Sequence, residues 1–306
     1  MARAHAEPPA VFNTLFPSGN SLDGQLRALP ASFGGDPSLL DNRLRGGLVV
    51  SKSATDTWFL QQTVGSLDLS RSLVIPQTGV AVPRRLWDIE TGGSFRRVVS
   101  DRKDWGIFAS IGSASDEPFH SIRETTLRMT AAYRLPSLDR NSWLLLLSYS
   151  NNRNFANNIP LPGVAYVVNA PKKGIEAAIG FPFLSITHKP SPRWTNRTVL
   201  IGPRNFSAET AFRVKAPVET YVGFDAGEKS WLRADRVHRR DRLFLGQKRW
   251  NFGLRFPLAR GLRADIGAGY DYNRRFYEYK KAKSHGVPAA DLRSAWTFQT
   301  KLGFKW

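Results

Sequence analysis

The sequence predicts an all-β fold, an antiparallel up-and-down transmembrane β-barrel of about 12 strands, roughly 10 to 14. Three observations predict it. Polarity alternates with period two from about residue 44 onward, the links between alternating segments are by turns long and short, and no apolar run approaches the ~18 residues of a membrane helix. The longest apolar run, Leu144 to Leu147 after Trp143, excludes a helical membrane protein. Mean hydropathy is −0.33, and a barrel tolerates this because its strands need only about 10 residues of alternating character.

The last strand is the clearest. Trp296, Phe298, Thr300, Leu302, Phe304 and Trp306 share one face, opposite Thr297, Gln299, Lys301, Gly303 and Lys305. Leu262, Ala264, Ile266, Ala268, Tyr270 and Tyr272 repeat the pattern opposite Arg263, Asp265 and Asp271, as do Trp250 to Leu258 opposite Asn251, Gly253 and Arg255. Upstream, Phe206 to Ala216 and Leu127 to Leu135 alternate in the same way. A chain closing on an aromatic residue at the end of such a strand resembles substrates of the barrel-assembly machinery.

The links sharpen the reading. Long segments at 274–293, 227–243, 189–205, 151–162, 113–121 and 73–85 alternate with short ones at Ala259-Arg260, Pro217, Pro171 to Lys173, Pro136 to Asn141 and Ser100 to Asp104. Outer-membrane barrels have short periplasmic turns and long external loops, whereas a soluble sandwich has no reason to keep the alternation in step. Twelve strands fit between residues 58 and 306. Residues 44–53 then read as a periplasmic or pore-associated extension, because single-chain bacterial barrels have even strand numbers. Residues 1–43, rich in Pro, Gly and Ser, read as an N-terminal extension, and 44–306 as the barrel. Ala4-His5-Ala6 has the A-x-A form that precedes signal-peptidase cleavage, which suggests the remnant of a signal peptide.

With 44 Lys and Arg against 25 Asp and Glu, the net charge is +19. In a soluble β-domain this would suggest nucleic acid or an acidic glycan, but here the strand aromatics lie opposite the strand charges, which argues against nucleic acid. The expected lumen-facing charges are Arg213, Lys215, Arg255, Arg263, Asp265 and Lys301, with Phe212, Phe256, Ile266 and Leu302 toward lipid. They either pair across a filled interior or line a narrow path for small anionic solutes. Two loops are strongly basic. The first holds Arg274, Arg275, Lys280 and Lys281, the second Arg236, Arg239, Arg240 and Arg242. With Trp306 taken as periplasmic, both lie outside, where the expected partners are lipid, lipopolysaccharide and an anionic surface glycan.

Catalytic motifs were not found. Cys is absent, and the five His are dispersed, so no thiolate or His-rich metal site is expected. His120-Ser121 are chain neighbours, Ser185 and His188 stand three apart, and His238 lies among arginines; none has the spacing of a nucleophile and its base. The expectation is a porin-like or structural envelope protein without enzymatic activity or cofactor, a lipid-modifying hydrolase being the alternative.

Pro160-Leu161-Pro162-Gly163-Val164-Ala165-Tyr166 and Ile179-Gly180-Phe181-Pro182-Phe183 together resemble a family of bacterial outer-membrane β-barrels of unassigned function, over roughly residues 45–306. The resemblance implies a fold and a location, and supplies no catalytic residues.

Overall fold

The computed structural model describes residues 16, 17, 19–30, 36–76, 78–100, 102–138, 141–280 and 286–306. Sixteen antiparallel staves form one closed sheet. In chain order they are β1 (Ser21–Leu29), β2 (Leu39–Lys52), β3 (Asp56–Leu69), β4 (Arg85–Ser100), β5 (Lys103–Ser115), β6 (Thr125–Pro136), β7 (Ser142–Ser150) and β8 (Leu161–Ala170). There follow β9 (Ile175–Phe181), β10 (Phe183–Ser191), β11 (Trp194–Ile201), β12 (Asn205–Lys215), β13 (Val218–Trp231), β14 (Arg242–Ala259), β15 (Leu262–Tyr279) and β16 (Ala295–Lys305). A short segment, Ala290–Leu292, pairs with Arg274 to Phe276 and continues β16 upward. Closure is made by β1, which pairs with β2 on one side and with β16 on the other, from Ser21 opposite Lys305 to Ala28 opposite Phe298. Every stave therefore has two neighbours, the condition for burying strand backbone in lipid.

The strand number exceeds the expected range, and the four extra staves are identifiable. Residues 44–52 are no extension but belong to β2, and β1 lies wholly within the segment read as preceding the barrel, so that the barrel begins at Ser21. The region 189–205 is no loop but contains the turn between β10 and β11 and all of β11, and the segment before it, read as one strand, is two, β9 and β10, divided at Pro182. The proposed signal-peptide remnant at residues 4–6 lies outside the described residues.

All connections on the rim shared by Ser21 and Lys305 are short, among them 53–55, 192–193, 216–217 and 260–261, the longest being 137–141. The opposite rim carries 70–84, 116–124, 151–160, 232–241 and 280–294, together with two tight links at Pro182 and 202–204. By that asymmetry the first rim is periplasmic and the second external. The resemblance motif meets itself near the external rim, where Val164 pairs with Phe181 and Gly163 leaves room for the Pro182 ring.

The outer wall is apolar. Leu22, Leu44, Leu60, Ile111, Leu145, Val222, Leu254, Ile266 and Leu302 stand exposed on it. Ring pairs border this wall toward the periplasmic rim, with Trp58–Phe95 at 4.6 Å, Trp143–Tyr166 at 4.9 Å and Trp194–Phe212 at 4.7 Å. Phe224–Trp250 at 5.0 Å and Tyr270–Trp296 at 5.4 Å border it toward the external one. A closed barrel with an apolar wall between two aromatic belts is the construction of an outer-membrane protein. No helix among the described residues is long and apolar enough to cross a membrane.

The external end of the barrel is filled rather than open. Inward-facing Leu29, Leu67, Leu86, Ala114, Trp231, Leu243 and Phe276 meet there, although they come from opposite walls. The 70–84 loop folds a small ribbon, Leu73–Val74 paired with Ala81–Val82, onto them and buries Ile75 and Val82 completely. A second apolar contact lies on the β5 to β9 wall, where Phe16 is buried against Gly106, Phe108, Ala132, Leu144 and Ala165.

Candidate functional site

Below the apolar plug the interior is polar, and its periplasmic half opens into a cavity of about 1130 Å³. Period-two alternation on β12 to β16, β1 and β2 aims Arg213, Glu219, Arg255, Asp265, Lys301, Gln25 and Arg43 into it. Eight Lys and Arg residues line this vestibule against the three carboxylates Asp23, Glu219 and Asp265.

Part of that charge is internally compensated. Arg255 donates to both oxygens of Glu209 at 2.7 and 2.6 Å and to Asp265 at 3.0 Å, and its guanidinium lies 4.1 Å from the centre of the Tyr221 ring. The Tyr221 hydroxyl donates to Asp265 at 2.7 Å and accepts from the Gln299 amide at 2.9 Å. That ring fits because Gly253 and Gly267 face each other beneath it: a Cβ on either would stand 2.8 Å from the hydroxyl. Arg213 pairs with Glu219 at 3.1 Å and Arg43 with Asp88 at 3.0 Å.

The remainder is uncompensated. Lys301 faces Asp265 across the ladder, but that carboxylate is already shared between Arg255 and Tyr221. Arg45, Arg260, Arg263, Lys301 and Lys305 make no ion pair with any described carboxylate, and the one lining carboxylate left, Asp23, stands across the ladder from Arg45. Their order around the wall is fixed by register. Arg263, Gly303, Asp23 and Arg45 form one row, and Asp265, Lys301, Gln25 and Arg43 the next. Adjacent strands are about 4.8 Å apart, so each row spans roughly 14 Å, enough to surround a small anion from one side.

Of the predicted lumen residues, Arg213, Arg255, Arg263, Asp265 and Lys301 thus line one cavity. Lys215 does not, because the β12–β13 register shifts between Arg213 and Lys215 and carries it to the exposed rim. Sequence reasoning missed the deeper ion clusters. Asp104, wholly buried, takes Arg96 and Arg134, each at 2.6 Å, and Asp41 takes Arg27 at 2.7 Å and Lys229 at 2.8 Å. Alternation with simple hairpin pairing could have brought Arg96, Asp104 and Arg134 together on neighbouring staves, whereas only the closed ring shows that Lys229 of β13 reaches Asp41 of β2.

The predicted basic external loops need correction. Arg274 and Arg275 lie within β15, and Arg274 is buried with its guanidinium donating to the Arg293 carbonyl at 2.9 Å. A positive φ at Asn273 and a register shift opposite Gln247 interrupt the alternation there. Arg242 is also buried, donating to the Arg153 carbonyl at 2.6 Å. Arg236 sits between the Glu124 carboxylate at 3.1 Å and the Arg123 carbonyl at 2.6 Å, tying the 232–241 loop to the 116–124 loop. Burial alone would raise the Glu124 carboxyl. The Ser121 hydroxyl and amide together with Arg236 outweigh it and hold Glu124 below the usual carboxylate range. Arg239, Arg240 and Lys280 remain exposed; Lys281 lies outside the described residues.

The His120 imidazole lies 3.3 Å from Glu117, while the Ser121 hydroxyl donates to Glu124 at 2.6 Å, so the two neighbours are engaged separately. Among the described residues no group of three or more His, Asp or Glu could hold a metal ion.

The sequence matches no protein-family profile and none of the curated proteins. Solved structures that align with the fold include the translocator domain of the autotransporter NalP from Neisseria meningitidis, at 10% identity over 97% of this chain and 92% of that one, with a TM-score of 0.35. An outer membrane channel from Pseudomonas putida F1 aligns at 8% identity over 95% and 97%, with a TM-score of 0.37, and the P. putida toluene transporter TodX at 10% over 99% and 94%, also 0.37. Scores this low leave the architecture to be read from the strand pairing itself.

Proposed function

We propose that this outer-membrane barrel takes small anionic solutes into its periplasmic vestibule and conducts them when the external plug is displaced. The observation that supports the reading is the group Arg45, Arg263, Lys301 and Lys305, which bring fixed positive charge to one cavity without carboxylate partners. Fixed charge between low-dielectric walls concentrates counter-ions. The test is the reversal potential in planar bilayers under a KCl gradient, using a variant whose plug is weakened by Ile75→Asp. Anion preference is expected, with a clear reduction on adding Arg263→Gln and Lys301→Gln. Cation preference, or no change with the double substitution, would retire the proposal.

A second reading, a structural barrel that passes nothing, is favoured by one observation: the completely buried Ile75 and Val82 close the external end. It predicts no conductance from the wild type or from the plug variant.

A further inference from the structure

The periplasmic rim beneath β8 to β12 carries a cationic patch that neither the lumen nor the ion clusters use. The turn of residues 171–174 exposes Lys172 and Lys173, and the turn of 192–193 exposes Arg193. Lys189 joins the two, since its amide donates to the Gly174 carbonyl at 2.7 Å. Lys215 flanks them, because β12 is held to the Arg193 carbonyl by the Arg213 amide at 2.8 Å. All five side chains are exposed and make no ion pair with a described residue. Stretches 170–174, 188–194 and 213–218 contain no carboxylate at all. At the other end of the barrel, by contrast, Arg233, Arg236, Arg242 and Arg274 are buried.

Depth selects the partner. Trp194 follows Arg193 directly and packs, tilted, against Phe212 on the lipid-facing wall, while Trp143 and Tyr166 mark the same belt on β7 and β8. At about 3.3 Å per residue, cations one to a few residues beyond the belt stand at the level of lipid headgroups, not in the periplasm beyond them. From these placements we infer that the patch binds the phosphate groups of anionic phospholipids in the periplasmic leaflet. Four strand spacings of about 4.8 Å give the patch a width of roughly 19 Å, room for more than one phosphate. The surplus charge of this end would then hold the barrel at a fixed depth and attract anionic lipid around it.

The experiment is tryptophan quenching in phosphatidylcholine vesicles doped with dibrominated phosphatidylglycerol or dibrominated phosphatidylcholine. Wild type should prefer the anionic lipid at least about fivefold at 0.1 M NaCl, the size expected when a single cation meets a headgroup. That preference should shrink at 0.5 M as screening tightens. The triple variant Lys172→Gln/Lys173→Gln/Arg193→Gln should lose most of it while retaining heat-modifiable migration. The external control Arg239→Gln/Arg240→Gln should leave it unchanged. Equal quenching by both lipids, persistence in the triple variant, or loss in the external control instead would each overturn the inference. None of these residues lines the vestibule, so failure here leaves the anion pathway standing and the reverse also holds.

Discussion

Asp104 shows how a charge is tolerated inside this wall. It is fully buried, and each of its oxygens takes a guanidinium, one from the neighbouring β4 and one from the neighbouring β6. Removing the carboxylate would take an ion-pair partner from two buried guanidiniums at once, so Asp104→Ala is expected to cost about 3 kcal/mol. Replacing Arg96, Asp104 and Arg134 together by apolar residues should cost much less, and urea unfolding in detergent measures both. Glu124 behaves differently because its partners sit in the external loops. Its carboxyl titrates lower in the folded state than in the unfolded chain, so protonation favours the open form. The Glu124–Arg236 latch should therefore hold fully above the ordinary carboxylate range, near pH 4.3, and weaken as pH falls through the depressed folded value. Hydrogen exchange of residues 232–241 at pH 7 and pH 3 should show the loosening, and Glu124→Gln should abolish the difference. A loop equally protected at both pH values would refute the latch.

At the scale of elements, the legible strands were those whose outer faces are continuously large and apolar. In β16 every second residue is Trp, Phe, Leu or Thr; in β1 the outward positions alternate Leu22 and Leu26 with Gly24 and Ala28, which halves the signal. In β11 the outward face includes Asn196, which accepts a hydrogen bond from Thr210 at 2.9 Å instead of presenting carbon to lipid. Polar side chains satisfied within the wall look like loop residues when read one strand at a time. The faces of the vestibule strands could be read because a slip of one residue would turn every side chain over. Its register across β16, β1 and β2 could not, since β1 was taken for an extension. Arg at Ile266, exposed on the outer wall, should accordingly cost up to about 2 to 4 kcal/mol, the more the nearer it stands to the bilayer midplane, and Gln at Arg263, which holds no described carboxylate, less, in a folding assay. Equal costs would reverse the faces. The plug was hidden for another reason: Leu73 to Val82 is an apolar pair of segments in a long loop, and only the closed ring shows that it folds inward. Burying Ile75 and Val82 contributes about 1.5 to 3 kcal/mol each. Spontaneous release would then leave the ribbon displaced in roughly one molecule in 10² to 10⁴, which is why Ile75→Asp should raise the frequency of open events in bilayer recordings.

For the whole molecule, the consequence of the charge distribution is directional. Arg233, Arg236, Arg242 and Arg274 at the external end are buried among carboxylates and carbonyls, while cations without ion pairs gather in the periplasmic vestibule. An open barrel would therefore be an anion-selective zone in series with a nearly neutral one. When the external side is positive, anions leave the vestibule for the neutral zone while cations arriving from outside are halted at its edge, so ions accumulate and conductance rises. The opposite polarity draws both kinds away from that junction and depletes it. The Ile75→Asp barrel, inserted in one orientation, should thus pass more current with the external compartment positive at 0.1 M KCl. The asymmetry should fade toward 1 M, where the screening length of about 3 Å is shorter than the vestibule is wide. Arg263→Gln with Lys301→Gln should flatten it at low salt as well. Symmetric currents at 0.1 M, or a rectification that these two substitutions leave unchanged, would show that the vestibule charges do not govern conduction.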